Sequence, residues 1–209
     1  MNKTILLAVL FGSLAHGPLA AQAGSVSGSG SAAAVATAAS TQQFASAALP
    51  SAGGMTDSEL ASIAVLSTVS ADGLASITTG QLDEALVSAT TTAQAANVNV
   101  LNGLITADAV LAMATSYANG VTATSESDGS ALVGLVVNGV SYADVPPDPN
   151  TQVDLPGVGY VVLNEQLSDG DGVHNTSLTV NMIHVYLTDP TGAPAGDIVI
   201  GTARSGASL

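Results

Sequence analysis

The 209-residue sequence predicts an all-β fold, an antiparallel β-sandwich-like domain, on two observations. Runs rich in Val, Ile, Thr and Ala recur roughly every 10–15 residues. Between them stand Asn-Gly, Asp-Gly and Pro clusters, the residue types that tight turns require.

Taken in order, residues 1–23 read as a secretory signal peptide. A short basic start ending at Lys3 and Thr4 precedes the apolar run Ile5–Leu10, and small residues lead to Ala21-Gln22-Ala23. Cleavage after Ala23 fits, with Ala20 the alternative. The apolar run is well short of the ~20 residues of a spanning helix. No Cys is present for lipid attachment, and the C-terminal TARSGASL offers no hydrophobic tail, so the expected product is exported, without membrane insertion of the mature chain. Residues 24–54 form a low-complexity Ala/Ser/Gly arm, either a flexible tether or a strand of small side chains.

Residues 55–209 carry the strands. Thr56-Asp57-Ser58-Glu59 resembles a helix capping box, but the β-branched run after it and the turn at Ala71-Asp72-Gly73 favour a strand. The segment 80–87 is the other place where a helical turn could start. Residues 86–101 end in strict alternation, with Val98 and Val100 on one face and Asn97 and Asn99 on the other. Another strand runs from Ile105 to Tyr117. Asn119-Gly120 and Asn138-Gly139 predict two-residue hairpin turns, whose central positions need φ > 0. A proline loop at 145–150 follows, then strands at 159–167, 177–187 and 197–203, separated by turns at 168–172 and 189–192. The strand at 177–187 is apolar on both faces near its end, as a central strand should be.

Charge narrows the function. The chain has 16 acidic residues and two cations, Lys3 and Arg204, for a net charge of −14, one more negative once the leader is removed. Such a surface cannot neutralise nucleic-acid phosphates or anionic lipid, so neither is an expected partner. No Cys exists for a thiolate, a disulfide or a soft metal site, and a cleaved chain has no Lys for Schiff-base chemistry. His174 and His184 stand ten residues apart without further ligands in pattern, and no nucleophile elbow sits between strand and helix. With no Trp, two Phe and four Tyr, an aromatic-lined sugar cleft is not expected either. No enzyme activity and no required cofactor are therefore expected.

Calcium is the candidate ion. Asp169-Gly170-Asp171-Gly172 resembles the start of an EF-hand loop, but Val173 and Val180 stand where that loop needs ligands. A looser site would use Asp169 and Asp171 with Asp148 or Asp154. The alternative is plain hairpin-turn chemistry.

Residues 97–110 (NVNVLNGLITADAV), 132–142 (LVGLVVNGVSY), 163–166 (LNEQ), 179–187 (TVNMIHVYL) and 196–206 (GDIVIGTARSG) occur in an order that resembles the choice-of-anchor P family of exported bacterial proteins. The resemblance covers roughly residues 60–206. It implies a surface or extracellular location and a β-sandwich-like domain, and it supplies no catalytic residues. The expected function is that of a non-catalytic structural protein of the bacterial cell surface or extracellular matrix. Homo-oligomers or polymers would form when residues 25–49 add as a strand to a neighbour's open edge, and deleting those residues would leave a folded core. The alternative is a monomeric adhesin-like or spacer module, calcium-stabilised, that binds an external ligand of unknown identity.

Overall fold

Alternating small and β-branched residues become fourteen strands in the computed structural model, which describes residues 24–37, 40–65, 68–142 and 147–209. The expected leader lies outside the described residues. One antiparallel sheet has six strands: β1 (Ser25–Thr37), β2 (Thr41–Ala48), β11 (Thr151–Leu155), β12 (Gly159–Gly170), β13 (Asn175–Thr188) and β14 (Pro194–Ser208), in the order β11-β12-β13-β14-β1-β2. The second sheet runs β10-β9-β6-β5-β4-β3. It consists of β3 (Gly54–Val65), β4 (Val69–Leu82), β5 (Val87–Val100), β6 (Ile105–Ala118) and the short strands β7 (Ala123–Glu126), β8 (Ala131–Val133), β9 (Val136–Val137) and β10 (Val140–Ser141). Strands β7 and β8 also pair with β6. The sheets pack face to face, with β1 and β14 over β4, β5 and β6, as a sandwich. No helix among the described residues is long and apolar enough to cross a membrane.

Of the low-complexity arm expected at 24–54, residues 25–37 and 41–48 are strands of the sandwich rather than a flexible tether. β1 is hydrogen-bonded on both sides, to β14 and to β2. Its alternation is faint in the sequence because both faces are small: Ser25, Ser27 and Ser29 point outward while Val26, Gly28 and Gly30 point in. A Cβ on Gly30 would collide with Ser76 Oγ, and one on Gly28 with Thr78 Oγ1. Glycine at these positions lets the sheets approach closely. The capping-box segment is strand β3, and 83–86 is a tight turn held by Asp83 Oδ1 accepting the Ala85 N–H at 3.1 Å, not a helical start. Asn138-Gly139 forms the expected two-residue turn, with φ of +48° and +77°. Asn119-Gly120 does not. Ala118 pairs with Ala123 across a four-residue loop, in which Asn119 Oδ1 accepts the N–H groups of Val121 and Thr122.

A transverse row of backbone kinks divides each sheet. In the six-stranded sheet the register passes from Leu163↔Ile183 to Glu165↔Asn181 and from Ile200↔Ala33 to Thr202↔Ser31. The skipped positions on β12, β14 and β2 are left-handed: Asn164 at φ +50°, Gly201 at +71° and Ala45 at +47°. Gly73 at +54° and Asn97 at +49° do the same in the other sheet. One such residue reverses which alternate side chains face inward. On β13 the inward set shifts from Leu178 and Val180 to Ile183 and Val185, and on β5 from Ala93 and Ala95 to Val98 and Val100.

Candidate functional site

The kink in the six-stranded sheet turns several polar side chains onto its outer face. Glu165 on β12, Asn181 and His184 on β13, and Thr202 on β14 flank the skipped row, with Tyr186 two residues further along. Glu165, only 7% exposed, is the centre. Its Oε2 accepts from Asn181 Nδ2 and from His184 Nδ1, both at 2.7 Å, and its Oε1 accepts from the Tyr186 hydroxyl at 2.7 Å. Thr202 Oγ1 donates to Asn181 Oδ1 at 2.9 Å. Tyr186 stacks on Tyr160 at 4.7 Å and on His184 at 3.9 Å. Two of the four tyrosines are thus gathered with a histidine, a grouping the low aromatic content did not suggest.

The electrostatics follow from this geometry. Burial disfavours the Glu165 carboxylate, but the bonds from His184, Asn181 and Tyr186 outweigh it and hold the carboxyl below its usual range. Burial and the hydrogen bond to Glu165 push the Tyr186 phenol up. His184 Nε2 stands 3.6 Å from Asp197 Oδ2, so both ring nitrogens face carboxylates. Glu165 is fully engaged, and no hydroxyl hydrogen-bonds to His184 among the described residues. This arrangement is a rigid polar mount on a sheet face, fixing the side chains around it.

Beside the mount lies a depression of about 310 Å³ lined by residues of β1, β2, β13 and β14, including Ser29, Ser31, Gln43, His184, Asp197 and Arg204. A second, of about 410 Å³, shares Ser29 and Arg204 with it and continues past Ser27, Ser177 and Thr179. A third, of about 220 Å³, takes over at Ser27 and Ser177 and ends near Ser25 and Ser208. Together they form one trough along β1 and β14, spanning about 35 Å at the usual rise per residue.

The calcium candidates lie elsewhere or are already engaged. Asp171 Oδ1 accepts three backbone N–H groups, those of Val173, His174 and Asn175, and its Oδ2 faces His174 Nδ1 at 3.3 Å. These bonds close the β12–β13 turn and hold the Asp171 carboxyl far below its usual range. Asp169 Oδ1 accepts from the Gly170 N–H. Asp154 pairs across from Tyr160, nine residues along β12 from Asp169, or about 30 Å of strand. Asp148 sits by Thr151, opposite Leu163, about 20 Å away by the same measure. The structure therefore does not bring Asp148 or Asp154 to Asp169 and Asp171. No group of three or more His, Asp or Glu able to hold a metal ion occurs among the described residues.

From the sequence, His184 is a strand residue with one ring nitrogen satisfied by a neighbour, and that neighbour is Glu165; Asn181 and Thr202 are not singled out, and Arg204 stands out only as a charge. The available signal was the motif set itself: 163–166, 179–187 and 196–206 supply β12, β13 and β14 of the site. Compared with protein-family models, curated proteins and solved structures, the chain matches none of them.

Proposed function

We propose that the chain is an exported, non-catalytic structural protein of the bacterial cell surface or extracellular matrix that associates with its own copies by adding strand to strand. One observation carries this reading: the two lateral sides of the sandwich differ. On one side the edge strand β11 is five residues long and bracketed by Pro147, Pro149 and Pro156, which resist pairing. On the other, β2 and β3 are edge strands of eight and twelve residues containing neither Pro nor Lys. β3 is exposed along most of its length, and Asp57 and Glu59 are its only charges. A long, unblocked edge is a template for another strand.

The route differs from donation of residues 25–49, because β1 is already paired on both sides within its own chain. Deleting 25–49 would strip β14 of a partner and uncover the core, so a folded remainder is no longer expected. The test is light scattering and negative-stain microscopy on the purified chain and on an Ala61→Lys/Ala64→Lys variant, both positions being exposed on β3. Oligomers or fibres should form with the native chain and be lost in the variant while its circular dichroism is unchanged. A native chain that stays monomeric would favour the adhesin-like or spacer module instead.

A further inference from the structure

We propose that the trough on the outer face of the six-stranded sheet binds a glycan bearing an isolated carboxylate, with that carboxylate seated on Arg204. This site is separate from the β3 edge and does not depend on self-association.

Arg204 is the only Lys or Arg among the described residues, in a chain with sixteen acids. It is exposed at the middle of β14, between Ser29 of β1 and Thr179 of β13. It makes no ion pair or side-chain hydrogen bond with any described residue. A solitary guanidinium surrounded by so many carboxylates would ordinarily be paired with one. Here it stands free where two depressions meet, and the neighbouring wall is the buried Glu165–Asn181–Thr202 network, which holds that side of the trough rigid.

The lining selects the ligand class. The side-chain hydroxyls of Ser27, Ser29, Ser177 and Thr179 have no hydrogen-bond partner among the described residues. Each can both donate and accept, which suits a polyhydroxylated ligand. A peptide main chain would find nothing to pair with, since the strand backbone at this face is consumed in the sheet ladders. The planar guanidinium fork matches a carboxylate in bidentate geometry. One guanidinium balances one such charge. A polyanion, or a doubly charged phosphate close to Asp197 and Asp169, would meet the −14 surface without compensation. Recognition by hydroxyl groups rather than by aromatic platforms also fits a chain with no Trp.

The probe is glucuronosyl-xylotetraose, one uronate on a neutral tetrasaccharide, titrated into the ¹⁵N-labelled Ala61→Lys/Ala64→Lys chain, whose β3 edge is blocked and whose trough is intact, and compared with xylotetraose and glucose 1-phosphate. Shift changes confined to residues 27–31, 177–181 and 202–206 are expected. Affinity should fall at least tenfold without the uronate and at least tenfold in Arg204→Gln, with partial recovery in Arg204→Lys. Four outcomes would overturn the proposal. They are no binding of the acidic sugar at millimolar concentration, equal binding of both xylosides, tighter binding of the phosphate, and a change of oligomeric state in Arg204→Gln without any effect of sugar. The last would make a second copy of the chain the occupant. Loss of assembly in the β3 variant leaves these shifts untouched, so the two readings fail separately.

Discussion

On either side of the transverse kinks the same kind of strand builds two different interiors. On one side Leu163, Ile183, Val185, Ile198 and Ile200 meet an aliphatic set that includes Val98, Val100, Ile105 and Leu135, all essentially inaccessible to solvent. On the other side Gly28, Gly30, Ala203 and Ser205 lie over Ser76, Thr78, Thr91, Ala112 and Ser116. The aliphatic half gains stability from buried apolar area, at about 25 cal/mol per Å². The small-residue half buries fewer large side chains, Leu178, Val180, Val26 and Val87 among them, and adds close approach and hydroxyl pairs. Ser205 and Ser116 bond between the sheets at 2.7 Å, and Ser116–Ser125 and Ser125–Thr176 continue the chain at 2.8 Å each. Smooth Ala and Gly surfaces select a register weakly, whereas a hydroxyl pair forms in one register alone. A chain without disulfides thus uses two means of holding two sheets together.

The largest test of this contrast is Ile183→Ala, which removes fully buried methylenes from the aliphatic half. It should lower unfolding free energy by about 2–5 kcal/mol in denaturant titration. A loss below about 1 kcal/mol would mean that this half is loosely packed. Next comes Gly30→Val, expected to cost about 1–3 kcal/mol by overpacking where an added Cβ meets Ser76 Oγ across the sandwich. Adding Ser76→Ala should recover part of that loss, because Ser76 Oγ is the atom struck and is buried without a hydrogen-bond partner among the described residues. Failure of the second change to help would place the cost in the backbone instead.

The smallest effect concerns the kink itself, where Glu165 ties β12 to β13. Its carboxyl is held below the ordinary value of 4.5, so its contribution is complete above that value and is lost as pH falls through the lower folded-state value. Asp171 and Asp189 titrate in the same direction, so acid sensitivity will not vanish in Glu165→Gln. The variant should nevertheless show a shallower loss of thermal stability below pH 4.5 than the native chain. Tyr186 has the opposite sign. Its raised value predicts that stability declines as pH rises above 10, since the unfolded phenol ionises before the folded one. Parallel acid profiles for native and variant chains would show that Glu165 is not linked to folding.

Local residues determined the all-β class, most strand positions, the Asn138-Gly139 turn, and the pairing of Val98 with Val100 on one buried face. Each of these depends on the preferences of a few adjacent residues, which a sequence displays directly. The tertiary structure decided three other matters. It made 25–37 and 41–48 integral strands, because Ser against Gly carries too little hydrophobic contrast to declare a face. It reversed the alternation at Asn164, Gly73, Asn97 and Gly201, where one left-handed residue changes which side chains point inward. It brought Glu165, His184, Thr202 and Arg204 to one face, from strands whose registry is fixed by ladders between segments that no local period can relate.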